Sequence, residues 1–446
     1  MASQSGASLI HMVAMSKTFR PWKIGEVQLL PPAIEDFVPK DHLARFIVTL
    51  VREMLDLSAI ESTYKSAKGQ PPFHPAMMTA LLLLGYTQGI YSSRRIAKAC
   101  RERTDFMMIV ALDPPDFRTI SEFRRRHREA LKGLFVQVLQ LCEQAGLVKL
   151  GHVALDGTKV KANASKHKAM SYARMVAREG ELEAEIETWL ETAEAVDSAE
   201  DAAFGRKRRG DELPGWVKDK KRRLEKLRAA KAALEEEARA AAEEQAKKPQ
   251  KYRGGRKPKT PPGEPKPNAQ RNFTDPDSRI MKGKDGFMQA YNGQAAVDGE
   301  HQIIVAQEVT QSASDAGQLI PLMDQIEANL GRTPGEASAD GGYCSEENLT
   351  DMARRGVRGY VAVGRASKPD GGKAMGPQTR AMRRRLRQGG RRSRYRLRKQ
   401  IVEPVFGQIK QARGFRQFLL RGVEKVKAEW ALVCTAHNLL KLARAI

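Results

Sequence analysis

His152-Val153-Ala154-Leu155-Asp156-Gly157-Thr158-Lys159-Val160-Lys161-Ala162-Asn163-Ala164-Ser165 is the stretch on which the fold turns. Val153, Ala154 and Leu155 form a short apolar run with Gly151 before it and Gly157 after it, the pattern of a buried strand bounded by turn residues. Asp156 is expected where that strand ends. A carboxylate on a rigid strand end, with Lys159 and Lys161 just beyond, suits metal-assisted chemistry on a phosphate. Alone, the signal is weak, because Asp and Gly dominate ordinary turns. Two more carboxylates in matching settings far downstream give it weight.

The chain has 446 residues, 41% of them hydrophobic. That is room for roughly two to three domains of about 150 residues each. A formal net charge of +24 points to a polyanionic partner. Nucleic acid leads, and an anionic membrane surface comes second. No apolar run reaches the ~18–20 residues that span a bilayer. Cys100, Cys142, Cys344 and Cys434 are scattered, so neither a zinc site nor a disulfide framework is indicated and a reducing cytoplasm fits. No charged-then-apolar signal segment opens the chain. Residues 1–14 read as a loose leader, with Met15 an alternative start.

Residues 1–40, punctuated by Pro21, Pro31, Pro32 and Pro39, read as an extended arm. Residues 41–150 read as an all-α domain with basic helix faces. Leu43, Phe46, Ile47 and Leu50 keep helical spacing behind a cap at Asp41. A second helix starts at His74-Pro75 and a third at Ser92 or Ser93. A fourth, capped by Thr119 or Ser121, exposes a run of arginines. A longer helix ends at Gly146. Residues 151–167 supply the first strand of a second domain. Residues 168–247 read as an inserted helical hairpin or coiled coil, and 248–272 as a flexible basic linker rich in Pro and Gly.

Strand signals resume at Phe287–Val297 and His301–Val309 around the turn Asp298-Gly299-Glu300. A helix capped by Ser314 follows. Next come a strand ending at Asp340, a helix over Ser345–Arg354 and a strand at Gly359–Val363. With the insertion set aside, residues 273–446 complete an α/β layer, a mixed sheet flanked by helices. Ser367–Lys399 is crowded with arginines and reads as a lining for a phosphate backbone. From Ile401 a helix carries Val402, Val405, Phe406 and Ile409, with Pro404 in its first turn and Glu403 at its start. A final helix covers Val423–Ala445. Asp156, Asp340 and Glu403 can then converge at one end of the sheet. Each alone is better read as a turn, cap or solvated residue. Together they are the minimum expected for a pair of Mg²⁺ ions.

At this point a family likeness becomes specific. Asp156-Gly157-Thr158, Asp340-Gly341-Gly342-Tyr343 and the spacing of Glu403 to Lys410 resemble the DDE transposases of bacterial insertion sequences. Leu155–Ser165, Asn272–Arg279, Ser338–Asn348 and Val402–Lys410 running on to Leu440 are similar to insertion-sequence group eleven-eighty-two. His74-Pro75 and Asp116–Phe123 resemble that group's N-terminal helical domain. The resemblance implies an RNase H-like catalytic core with Asp156, Asp340 and Glu403 as the metal-binding triad, served by Mg²⁺ with Mn²⁺ as a substitute. It implies double-stranded DNA partners, terminal inverted repeats and target, bound by a homodimer at the bacterial nucleoid in the cytoplasm. Many members carry a Tyr, an Arg and a Lys around the Glu. Lys410 matches, Tyr395 and Arg398 lie one residue too far from Glu403, and Lys399 occupies the Arg slot. Phosphate contacts are expected from Lys159, Lys161 and Lys410, from Arg94, Arg95, Arg124 and Arg125, and from Arg384, Arg385 and Arg398. His152 and His437 are expected to be packed core residues. Two other readings stay open: a non-catalytic DNA-binding protein left by a decayed transposase, and a nuclease of the same core without strand transfer.

Overall fold

The structure is a computed structural model that describes residues 33–65, 71–204, 215–247, 260–283, 286–363 and 376–445. Most of the expected arm at 1–40 and the first half of the expected linker lie outside the described residues.

Short capped helices build the N-terminal region: α1 (Leu43–Glu53), α2 (Ser58–Glu61), α3 (Pro75–Thr87), α4 (Ser93–Glu102), α5 (Thr104–Ile109), α6 (Phe117–Arg126) and α7 (Arg128–Gln144). The cap of α1 is His42, not Asp41: its Nδ1 accepts the Ala44 N–H at 3.1 Å. His74 does the same for α3, with Pro75 at the first position, where its missing N–H costs nothing. Asp116, rather than Thr119 or Ser121, caps α6 through the Arg118 N–H at 2.8 Å. Helix α3 is buried from Met78 to Thr87 on all sides, as an apolar helix without a polar face must be.

Strand β1 (His152–Lys161) is longer than expected. It does not stop at Asp156, which lies mid-strand, and Gly157 is not a turn. A short ladder of β2 (Ala169–Ser171) and β3 (Gln270–Asn272) then forms the base of the insertion, α8 (Tyr172–Phe204) and α9 (Gly215–Lys247). Residues 270–272 are therefore strand rather than linker, with Asn272 buried. Leu182, Ile186 and Leu224 form one small cluster between the two helices, and Met175, Leu227, Ala230 and Leu234 another. Arg228 and Lys231 pair across the hairpin with Glu179.

The main sheet continues with β4 (Arg279–Gly283), β5 (Gly286–Asp298) and β6 (Ile304–Thr310). After α10 (Leu319–Leu330) come β7 (Glu336–Ala339), α11 (Glu346–Arg354) and β8 (Arg358–Val361). Strand order is β4-β5-β1-β7-β8, with β6 also paired to β5. The β1–β5 and β5–β6 pairs are antiparallel, and β1–β7 and β7–β8 are parallel, so the sheet is mixed. Gln318, not Ser314, stands at the start of α10. The basic segment folds in part as α12 (Pro377–Gly389), followed by α13 (Leu397–Gly407) and α14 (Val423–Ala443).

Helix α13 begins four residues earlier than expected and holds Pro404 in its interior. A proline there cannot donate to the carbonyl four residues back, that of Gln400. Gln302 Nε2 donates to that carbonyl instead, at 3.0 Å, so the helix continues without an orphaned acceptor. A π-turn, Gln408–Ala412, follows.

Helix α14 is buried along nearly its whole length and packs against α3, α7 and β6. The buried residues of the helical region and of the sheet form one continuous cluster. Its centre is Trp430, fully buried, with Nε1 donating to Gln294 O at 3.1 Å and the ring over Gly293, where a Cβ would lie 3.1 Å from it. No helix among the described residues is long and apolar enough to cross a membrane. Trp430→Ala should cost about 3–5 kcal/mol, as other large-to-small core changes do, and lower the urea midpoint of unfolding; an unchanged midpoint would show that the cluster is not the common core.

Candidate active site

The parallel pairing of β1 with β7 ends at Leu155 opposite Ala339. Asp156 is the next residue of β1 and Asp340 the first beyond β7, so their backbones start about one strand spacing, ~4.8 Å, apart. Beyond that point β1 continues with β5 on one edge only, until Lys161 bridges to Gln417. A notch without a strand is left beside Asp156, faced by α13.

Asp156 Oδ1 accepts its neighbour's Gly157 N–H at 2.9 Å, and Oδ2 accepts Arg398 Nη1 at 2.7 Å. Asp340 leaves β7 and caps the next turn, its Oδ1 taking the Gly342 N–H at 2.8 Å. Glu403 stands in the middle of α13, not at its start, with 46% of its side chain exposed and Oε1 3.3 Å from Arg398 Nη2. Arg398 thus spans Asp156 and Glu403. Burial raises the Asp156 carboxyl to about 6, and Asp340 and Asp315 push the same way against Arg398.

Among the described residues no group of three or more His, Cys, Asp or Glu is already arranged to hold a metal ion. The donor chemistry nevertheless fits a hard divalent cation: Asp156 and Glu403 already share a cation, the Arg398 guanidinium, which also feels the charge of Asp340. Asp156, Asp340 and Glu403 are the residues that would hold it.

The expected phosphate contacts divide. Lys159 lies 3.6 Å from Asp315, and Lys161 is exposed at the end of β1. Lys161 pairs through its backbone with Arg416 and Phe418, so the Lys159 carbonyl, two residues earlier, faces the same free edge. Lys410 Nζ, carried by the π-turn, donates to it at 2.7 Å. Arg94 and Arg95 are exposed, Arg94 lying over the Phe117 ring, and Arg125 is exposed and paired with Glu122. Arg384 is exposed on α12, whereas Arg385 donates to Gly359 O at 2.9 Å. Arg124, expected on the phosphate-contacting face, turns inward. It is only 8% exposed and its guanidinium bonds Tyr86 Oη and Tyr91 O at 3.2 and 3.1 Å, so it braces helices instead of facing solvent.

The histidines are structural. His152 sits between Glu336 and Ser338. His437 Nε2 lies 2.9 Å from Gln302 O and Nδ1 lies 3.1 Å from Arg413 Nη2. A carbonyl only accepts and a guanidinium only donates, so this ring is neutral with its proton on Nε2. Burial, reinforced by Arg413, pushes it down to about 3.

Asp315, Asn292 and Gln294 were not anticipated. Both amides donate to Asp315 Oδ1, at 2.6 and 2.7 Å, and Gln294 also accepts the Tyr343 hydroxyl. The one trace in the sequence was Gly157: a Cβ there would lie 2.4 Å from Gln294 Nε2 and 2.5 Å from Asp315 Oδ1. Close approach, not a turn, demands that glycine.

Two family models match the chain. One, described as Transposase domain (DUF772), covers residues 32–126, and the other, Transposase DDE domain, covers residues 149–439. No curated protein and no solved structure matches.

Burial, with Lys159 close by, pushes the Lys410 ammonium down to about 8 from an ordinary 10.5. Between those values the unfolded chain binds more protons than the folded one, so stability rises as pH rises through that window. In Lys410→Met that rise should be smaller by about 1–2 kcal/mol, allowing for the solvent that reaches the partly exposed group. Urea unfolding at pH 7.5 and pH 10 measures it; identical slopes for the two proteins would rule the burial effect out.

Proposed function

The chain belongs to the DDE transposases of insertion sequences, and we propose that it cuts and joins DNA at the ends of its own mobile element, with Asp156, Asp340 and Glu403 as its catalytic acids. The observation that supports this reading is the notch where β1 and β7 part: Asp156 stands beside Asp340 there, and Arg398 ties Asp156 to Glu403. The mixed sheet with helices on its flanks is consistent with an RNase H-like core.

Magnesium, or manganese in its place, when held by these carboxylates supplies Lewis-acid activation of water and of the phosphodiester. The rest falls to the chain. The acids gather negative charge in a partly buried notch, and Arg398 balances it before DNA arrives. A guanidinium can bond a phosphate through two N–H groups at once, so Arg398 is placed to turn to the DNA backbone when the acids are otherwise neutralised. Lys410 at the free edge of β1 and Lys161, exposed at the strand end, steady the DNA backbone as point charges, whereas Lys159 is turned to the other face, towards Asp315. Water adds to the phosphorus at the element end, and the departing 3′ oxygen keeps the bonding pair and takes a proton. That 3′-hydroxyl then attacks a phosphodiester of target DNA, forming one P–O bond as another breaks.

Exposed Arg94, Arg95 and Arg125 on the helical region, and Arg384 on α12, offer sequence-independent backbone contacts. The terminal inverted repeats are read by the helical region, and joining two ends calls for a homodimer. The setting is the bacterial nucleoid.

Asp156→Ala, Asp340→Ala and Glu403→Ala should each cut strand cleavage about a hundredfold or more, the scale seen when one preorganised charge is removed from a reaction centre. Binding of end DNA, read by gel shift, should persist. A pre-cut donor end should be joined to new DNA by the unaltered protein alone. Cleavage retained in any one variant removes that residue from the triad, and cleavage without joining makes the protein a nuclease.

A further inference from the structure

A fourth carboxylate approaches the same notch from the other face of the sheet. Side chains alternate along a strand. Gly157 and Lys159 on β1, opposite Gln294 and Asn292 on β5, therefore face away from Asp156. Asp315, in the loop between β6 and α10, lies on that far face with 16% of its side chain exposed. On most of the sheet a neighbouring strand would wall it off from Asp156. Here β7 has ended at Ala339, so no strand of the sheet stands between the two faces.

Two glycines mark how closely Asp315 comes to the triad. A Cβ on Gly157, the residue after Asp156, would meet Asp315 Oδ1 at 2.5 Å. A Cβ on Gly342, two residues after Asp340, would lie 3.0 Å from Asp340 Oδ1 and 3.4 Å from Asp315 Oδ2. Asp315 Oδ1 is taken up by the Asn292 and Gln294 amides, which hold the carboxylate in place. No hydrogen bond is made to Oδ2 among the described residues, and it is the oxygen that faces Gly342, whose N–H Asp340 accepts.

Asn292, bonded to Asp315, carries an unsatisfied acceptor of its own. Its side chain is fully buried and its Oδ1 has no hydrogen-bond partner among the described residues. The amide cannot be turned around to cure this. Its Nδ2 serves Ser312 O and Asp315 Oδ1, and both of those can only accept. A Cβ on Gly157 would lie 2.9 Å from the orphaned oxygen, so it too is aimed at the residue beside Asp156. A buried acceptor without a donor is costly, and a bound water or ion would relieve that cost.

We propose that Asp315 is a fourth acidic residue of the catalytic notch, with its Oδ2 and the orphaned Asn292 Oδ1 accepting from the water shell of a divalent cation held by Asp156 and Asp340. Asp315 acts through those waters and is a positioning residue. The inference rests on the reading of the triad as a cation site.

Mn²⁺ binding to the full-length protein without DNA, followed by electron paramagnetic resonance, tests it. Asp315→Asn should weaken Mn²⁺ binding about tenfold, the lower end of the effect of removing an outer-shell partner. Its melting temperature and end-DNA binding should stay unchanged. Lys159→Met should leave Mn²⁺ affinity no weaker, whereas a role exercised only through the Lys159 ion pair would make the two variants alike. If Asp315→Asn does not fold, Asp315→Ser, which leaves room for water and keeps an acceptor for both amides, is read in its place. Unaltered Mn²⁺ affinity in the folded variant overturns the proposal. Asp340→Asn separates the two levels: if it abolishes binding while the Asp315 variant does not, only the fourth acid falls. If neither matters, the triad reading fails with it.

Discussion

The parallel pairing of β1 with β7 is the constraint on which the site depends. It brings two strands far apart in the chain side by side, and it stops after Leu155 and Ala339. Had it run further, Asp156 would be flanked by backbone and closed to a substrate. Had it stopped sooner, Asp156 and Asp340 would have no common frame. The antiparallel partner β5 carries β1 onward past this point, so the acid stands on a strand held on one side only. Ligand sites in α/β sheets favour such places, where neighbouring strands part at their carboxyl ends.

Charge is the second theme. Carboxylates gathered in a half-buried notch repel one another, and the structure answers with a single guanidinium on α13 shared by two of them. That answer is reversible, because an arginine can exchange a carboxylate for a phosphate. The Lys410 ammonium is handled differently. It is half-buried against the Lys159 carbonyl on a π-turn, a departure from α-geometry often found at functional sites.

The strand–acid–glycine pattern at Asp156 and at Asp340 could be read because burial and turn chemistry leave local marks. The length of β1 could not. Gly157 looks like a turn residue until one knows that Gln294 and Asp315 press against it from a neighbouring strand and a loop. Pro404 misled for the same reason. A proline inside a helix is tolerable only when a distant group, here Gln302, serves the freed carbonyl. Arg124 lay hidden in a run of arginines, and only the packing of α6 singles out the one that turns inward. Asp315 belongs to no periodic pattern at all, and its meaning arises from the register of β1 with β5.

The core shared by the helical region and the sheet bears on how such a chain is inherited. Two family segments can be recognised along it, yet α14, at its far end, fills the space between α3, α7 and β6. Tyr91 adds a bond from the helical region to the Arg413 carbonyl, three residues past Lys410. A recombination event that swapped one segment for a distant cousin's would leave α14 facing a surface it was never shaped to meet. The segments must therefore travel together through evolution, and change in the helical region is confined to the outward faces of helices whose inner faces are already committed.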